Sequence, residues 1–249
     1  MSYEFDKATV TMSNALIRSG QSLSLAEKRL VSIALSKLDT KGGPGRYGMG
    51  FEITCKITAE EYAELAQCDT SIAYRDLKRA SKSLHKQTIE FYEPDHKRKG
   101  KPLLIRTTMN WIGYSQYHLK EGWAELTWNH KLVPHLLGLK REFTTYQLNQ
   151  AAALRSVYSH RLLELLMMFE STGWAKFNLD DFCKAMDATP KQKADFANVR
   201  RRIIEPAIKE LQEKDGWKIE WTAEKAGRKV TGLLFSFNRD TQRGLFNDN

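Results

Sequence analysis

One plan occurs twice along this chain, and a repeated plan narrows the possible folds more than any single segment does. In the first half, Glu60-Glu61-Tyr62 opens a helix, Cys68-Asp69-Thr70 makes a tight turn, and a second helix runs to about Lys86. In the second half, Asp180-Asp181-Phe182 opens a helix to about Met186, Asp187 to Lys191 is the turn, and Asp195 to Gln212 is the second helix. Arg79 stands 18 residues after Glu61 and Arg200 stands 19 after Asp181, so the acidic entry and the basic helix keep their spacing. Strand-like segments follow each pair: Thr88 to Tyr92, Leu103 to Tyr114 and Trp123 to Trp128, then Trp217 to Thr222 and Thr231 to Phe237. Helix, turn, basic helix and hairpin is the order of a winged helix-turn-helix. The expected fold is α+β, two tandem winged-helix domains related by internal duplication.

The second helix of each pair has two unlike faces. At 3.6 residues per turn, Phe196, Val199, Ile203, Ala207 and Leu211 share one side, and Asn198, Arg201, Arg202, Glu205 and Lys209 share the other. Arg200 falls toward the apolar stripe, where it would hold a carboxylate or a phosphate rather than a base. In the first half, Ala73, Leu77, Ala80 and Leu84 oppose Arg75, Lys78, Arg79 and Lys82. Arginine and asparagine on an open helix face can make paired hydrogen bonds to base edges in a major groove. A solvated basic face is the plainer reading of either helix alone. The same design in the same context twice favours nucleic acid.

Elsewhere the signals are local. Ser24 with Glu27, and Thr58 with Glu61, have the spacing of capping boxes. The first opens a helix whose stripe is Leu30, Ala34, Leu35 and Leu38, broken at Lys41 to Gly45. Phe51, Ile53 and Cys55 alternate as a short strand. Two cationic hairpin tips suit the wings: His96 to Lys101, with Lys97, Arg98, Lys99 and Lys101, and Ala223 to Lys229, with Lys225, Arg228 and Lys229. A short helix is expected over about His130 to Leu139. Val157 to Glu170 is apolar almost all round and reads as a buried helix rather than a zipper. The expected organisation is a loosely ordered segment over 1–22, a first domain over 23–141, a second over 142–240 and a tail over 241–249.

Charge and motif content restrict the function classes. With 39 Lys and Arg against 30 Asp and Glu, the net charge is +9, and a basic globular chain favours polyanions through counterion release. No apolar run approaches the ~20 residues that span a bilayer, and MSYEFDKATV lacks the basic flank and apolar core of a signal peptide. Cys55, Cys68 and Cys183 lie far apart with no C-x-x-C pair, so free thiols in a reducing cytoplasm are expected and no metal site. The six histidines form no His-x-His pair, and the Gly42 to Gly50 stretch lacks the Gly-Lys-Ser/Thr ending of a phosphate loop. Neither catalysis nor a cofactor is expected. A dimeric winged-helix transcription regulator is the competing reading. RNA binding ranks lower, since the tryptophans fall mostly at strand positions suited to core packing.

Four stretches then resemble one family in order: LSLAEKRLV (Leu23 to Val31), YSHRLLELL (Tyr158 to Leu166), NVRRRIIEPAIKEL (Asn198 to Leu211) and GRKVTGLLFSF (Gly227 to Phe237). The sequence is similar to the iteron-binding plasmid replication initiators of the Rep-3 family from about Ser13 to Phe237. The resemblance implies a bacterial cytoplasmic protein that binds directly repeated origin sites as a monomer. It also implies a homodimer, joined mainly through the first domain, that represses its own gene at an inverted repeat. Origin opening and recruitment of the host initiator and helicase would follow. Base reading is carried onto Asn198, Arg201 and Arg202, and DNA contact in the first domain onto Arg75, Lys78, Arg79 and Lys82. Lys225, Arg228, Lys229, Lys97, Arg98, Lys99, Lys101 and Arg200 would meet phosphates. The two helices would enter successive major grooves, about 10 base pairs apart.

Overall fold

The computed structural model describes residues 4–38, 52–94, 104–152 and 154–239, in two compact units, Met1–Ala152 and Ala153–Asn249. The first unit runs β1 (Thr9–Ser13), α1 (Asn14–Arg18), α2 (Leu25–Ser36), β2 (Thr54–Thr58), α3 (Ala59–Ala66), α4 (Thr70–Ser83), β3 (Thr88–Pro94), β4 (Leu104–Asn110), β5 (Ile112–Tyr117), β6 (Trp123–Trp128), β7 (Phe143–Gln147) and α5 (Leu148–Ala152). The second runs α6 (Val157–Met167), β8 (Trp174–Asn178), α7 (Leu179–Ala185), α8 (Pro190–Lys193), α9 (Phe196–Val199), a π-helical turn (Arg200–Ile204), α10 (Glu205–Asp215), β9 (Trp217–Ala226) and β10 (Lys229–Arg239).

Both expected capping boxes form. Ser24 and Glu27 close the start of α2, and Thr58 and Glu61 the start of α3, each satisfying two otherwise unpaired helix N–H groups. The α2 helix is more deeply enclosed than an amphipathic stripe predicts, because Glu27, Lys28 and Arg29 are buried with the apolar residues. Glu27 accepts from Ser24 N, from the Ser83 hydroxyl and from Gln87 Nε2, and Lys28 Nζ donates to Gln21 Oε1 at 2.9 Å. Glu27 therefore ties α2 to the C-terminal end of α4, and a charge buried with its hydrogen bonds made is tolerated. The α4 helix rests on Ala73, Leu77, Ala80 and Leu84, all at most 1% exposed.

The repeat shows most plainly in strand order. One three-stranded sheet runs β2-β6-β5 and the other β8-β10-β9, so in each the strand before the helix pair lies beside the last strand of the hairpin that follows. In the first unit β3 and β4 form a separate two-stranded hairpin inserted between α4 and the sheet. The wing of the first unit is therefore the β5–β6 hairpin. The basic stretch with Lys97, Arg98, Lys99 and Lys101, expected to be that wing, falls in sequence between β3 and β4 and lies outside the described residues, as do Lys41 to Gly45 and Phe51.

Three further expectations are corrected. The segment over 1–22 is not loose where it is described: β1 pairs antiparallel with β7, and Val10, Met12, Leu16 and Ile17 are fully buried. The Thr11–Thr145 hydroxyl contact, 2.8 Å across 134 residues of sequence, shows why no local pattern revealed it. That pairing also moves the division between units, since β7 and α5 belong with β1 and the chain divides after Ala152 rather than Arg141. Between His130 and Leu139 only Val133–His135 is helical, a single 3-10 turn capped at Leu136.

In the second unit α6 is buried on nearly every side, including its Arg161–Glu164 ion pair at 2.8 Å. Arg161 Nε also donates to the Ala185 carbonyl at the end of α7, 2.8 Å away. Phe177, Phe182 and Phe235 interlock with ring centroids 5.8 to 6.0 Å apart beneath the sheet. The expected turn over Asp187 to Lys191 is cut short at Thr189, where α8 begins, nucleated by a third capping box, Thr189 with Gln192, and by Pro190 at its first position. The expected single helix over Asp195 to Gln212 runs from Phe196 to Asp215 but is not uniform. Pro206 lacks an N–H and its ring would strike the carbonyl four residues back, a cost of about 3 kcal/mol in a regular helix. The chain widens just before it, and the Glu205 N–H reaches the Arg200 carbonyl, five residues back. Gly216 at φ 68° ends α10.

Candidate nucleic-acid interface

Within the second unit, the helix from Phe196 to Asp215 buries Val199, Ile203, Ile204, Ala207, Ile208 and Leu211. Opposite them Arg201 and Arg202 are exposed and Asn198 is partly exposed. Arg201 Nε donates to the Ala197 carbonyl at 3.3 Å, which steadies the side chain along its own helix. Arg202 and Asn198 line a cleft of about 110 Å³ with Thr189, Lys191 and Gln192 of the preceding turn. The sequence reading missed Lys191 and Gln192 as neighbours of this face, although the Thr189–Gln192 spacing signals the short helix that carries them. Gln192 Nε2 donates to the Tyr158 hydroxyl at 3.0 Å, fastening that short helix to α6.

Arg200 does not lie toward the apolar stripe as expected. It is 57% exposed and its Nε meets Glu205 Oε1 at 2.6 Å. The widened turn carries it round the helix, so of the two partners anticipated for it the structure shows the carboxylate.

In the first unit Arg75, Lys78, Arg79 and Lys82 are all exposed on the face of α4 opposite its apolar side. Asp76 sits between two of them, 3.3 Å from Arg75 Nε and 3.3 Å from Arg79 Nη2, and is itself only 16% exposed. The sequence reading passed over this carboxylate, whose effect is to draw the two guanidiniums toward one oxygen and lower the local positive charge.

The wings differ in build. In the second unit β9 and β10 close through Gly227 and Arg228, with Gly227 at φ 62° as a two-residue hairpin turn requires. Lys225, Arg228 and Lys229 are exposed there. The expected turn over Ala223 to Lys229 is shorter than predicted because the strands pair up to Ala226 and Lys229. In the first unit the tip is His118 to Gly122, with Leu119 75% exposed and Lys120 exposed beside it. His118 stacks on Trp123 at 5.2 Å and Lys56 Nζ lies 4.1 Å from the Trp123 ring centre. The Trp123 indole donates to Glu121 Oε2 at 2.9 Å and holds that carboxyl below its ordinary range. Gly122, at φ 64°, passes so close to Tyr74 of α4 that a Cβ would stand 1.6 Å from the ring, so this wing is keyed to the helix beside it. The hairpin itself is local, but what marks it as the wing is the long-range pairing of β6 with β2, which a reading by basic charge alone does not reveal.

Burial pushes the Cys55 and Cys183 thiols up, and Cys68 is half-buried. Among the described residues no three His, Cys, Asp or Glu side chains are grouped to hold a metal, and no helix is long and apolar enough to cross a membrane.

A basic helix beside a wing, built twice on matching sheets, defines a tandem winged-helix protein. Family models agree: the initiator replication protein WH1 model matches residues 9–167 and the initiator Rep protein WH2 model matches 178–237. The chain belongs to the Rep-3 family of replication initiator proteins. The WH1 match extends through α6, which here packs in the second unit against α10. A solved structure of the Pi initiator protein in complex with iteron DNA superposes with a TM-score of 0.76 at 26% identity, covering 95% of this chain and 99% of that one. The PI protein of Escherichia coli is 28% identical over 93% of this chain and 83% of its own length. A replication initiation protein of Escherichia coli is 25% identical over 95% of this chain and 71% of its own.

Proposed function

We propose that the chain is a plasmid replication initiator that binds directly repeated origin sites, with Asn198, Arg201 and Arg202 reading bases and α4 supplying a second contact through Arg75, Lys78, Arg79 and Lys82. The observation that carries this reading is the outward arginine face on a helix inside a fold that matches, over 95% of the chain, an initiator solved on iteron DNA. Lys225, Arg228, Lys229 and the wing-tip Lys120 serve phosphates, as do Lys97, Arg98, Lys99 and Lys101. Monomers occupy the repeats, a homodimer represses the gene at an inverted repeat, and strain from several bound copies opens the origin for the host initiator and helicase in the bacterial cytoplasm.

The test is a pair of titrations. Arg201→Ala should lose about 1–3 kcal/mol on the cognate repeat and far less on a scrambled duplex. Equal losses on both would remove the base-reading role. Protection of one palindrome alone, with no repeated sites, would favour the dimeric regulator instead.

A further inference from the structure

Three consecutive arginines pose a geometric problem that the second recognition helix solves in an unusual way. A regular helix advances about 100° per residue, and one continued back from the buried Ile203, Ile204, Ala207, Ile208 and Leu211 would set Arg200 within their stripe while Arg201 and Arg202 stay outside it. Here Val199, Ile203, Ile204, Ala207 and Ile208 are buried, and yet Arg200, Arg201 and Arg202 are all exposed. The π-helical turn makes both possible, because it lengthens the loop of backbone between one buried contact and the next. Its signature is the Glu205 N–H bonded to the Arg200 carbonyl, five residues back. The Arg200–Glu205 side-chain pair closes over the same turn, at a separation of five residues that does not face across a regular helix.

Pro206 follows immediately and is exposed, so packing does not explain its place in the middle of a helix. A proline there removes the N–H that would bond to the Arg202 carbonyl and sterically opposes the regular turn. We infer that Pro206 is a positioning residue for DNA recognition: it holds the wide turn that brings Arg200, Arg201 and Arg202 to the open face together, beside Asn198. The inference rests on the proposed base-reading role of this helix. With Pro206 replaced, the regular hydrogen-bond ladder becomes available, the helix before the turn rotates by about one residue's step, and one arginine swings toward the buried stripe.

Pro206→Ala is a mild change at an exposed helical site, so the full-length variant is expected to fold and to melt no lower than the parent. Binding is measured on the repeat duplex recovered by footprinting the parent protein, and on a scrambled duplex of equal length. The expected result is at least a tenfold loss on the repeat, less than a twofold change on the scrambled duplex, and a changed pattern of guanine-methylation interference. Parental affinity on the repeat would overturn the inference, and so would an equal loss on both duplexes. Arg201→Ala run in parallel separates the two levels. A loss with Arg201→Ala and none with Pro206→Ala sinks the positioning role alone, whereas no loss with either sinks the base-reading role as well.

Discussion

Asp76 shows how one side chain sets the strength of a basic face. Shared between Arg75 and Arg79, it cancels part of the positive charge that α4 presents at its surface. Asp76→Asn should tighten binding to any duplex by less than about 1 kcal/mol, as expected for exposed ion pairs. It should also steepen the salt dependence, by up to about 0.9 in the logarithmic slope for each phosphate newly met. A binding titration against salt concentration checks both. Tyr62, fully buried with its hydroxyl 3.4 Å from the Ala26 carbonyl, makes a pH prediction. Burial pushes its phenol up to about 12 from 10, so the neutral form belongs to the folded chain. Its contribution to stability is complete below pH 10 and is lost as pH rises from about 10 to 12, where the unfolded chain gives up the proton first. Denaturant melts across that range should show the decline, and Tyr62→Phe should flatten it. Some of these residues were legible and others were not. Ser24–Glu27 and Thr58–Glu61 announce themselves through local spacing. The burial of Glu27 depends on Ser83 and Gln87, 56 and 60 residues away, and no window of sequence displays it.

At the scale of elements, helices whose faces are set by period were read well, and strands whose partners lie far off were not. The Ala73–Leu77–Ala80–Leu84 stripe and the buried α6 are periodic signals, and both are found in place. The β1–β7 and β2–β6 pairings are long-range, so the N-terminal strand, and the identity of β5–β6 rather than the more basic stretch as the first wing, were not legible. The π-turn lies between: Pro206 was visible in the sequence, but its effect on helical phase appears only once the buried and exposed sets are known. The α6 helix gives a stability test. Glu164→Ala leaves Arg161 as a charge inside the core, and breaking a buried pair from one side costs about 3–5 kcal/mol. Replacing both with apolar residues of similar volume, such as Arg161→Met with Glu164→Leu, should cost far less. Chemical melts of the single and double variants decide it, and a mild effect of Glu164→Ala would show the pair to be dispensable.

For the whole molecule, the internal repeat was the most legible property, since spacing and motif order survive without knowledge of contacts. The division after Ala152 was harder, because the strand that fixes it is paid for by a partner at the other end of the unit. The central claim is that each unit applies one basic helix to the same repeated DNA site. Hydroxyl-radical and methylation-interference footprinting of the full chain, on DNA flanking its own gene, tests that claim most directly. The account predicts several directly repeated protected sites, each with two separate groups of contacts. One group should disappear with Arg201→Ala and Arg202→Ala, the other with Arg75→Ala and Arg79→Ala. A single group of contacts per site, or footprints that all four substitutions weaken uniformly without erasing either part, would contradict it.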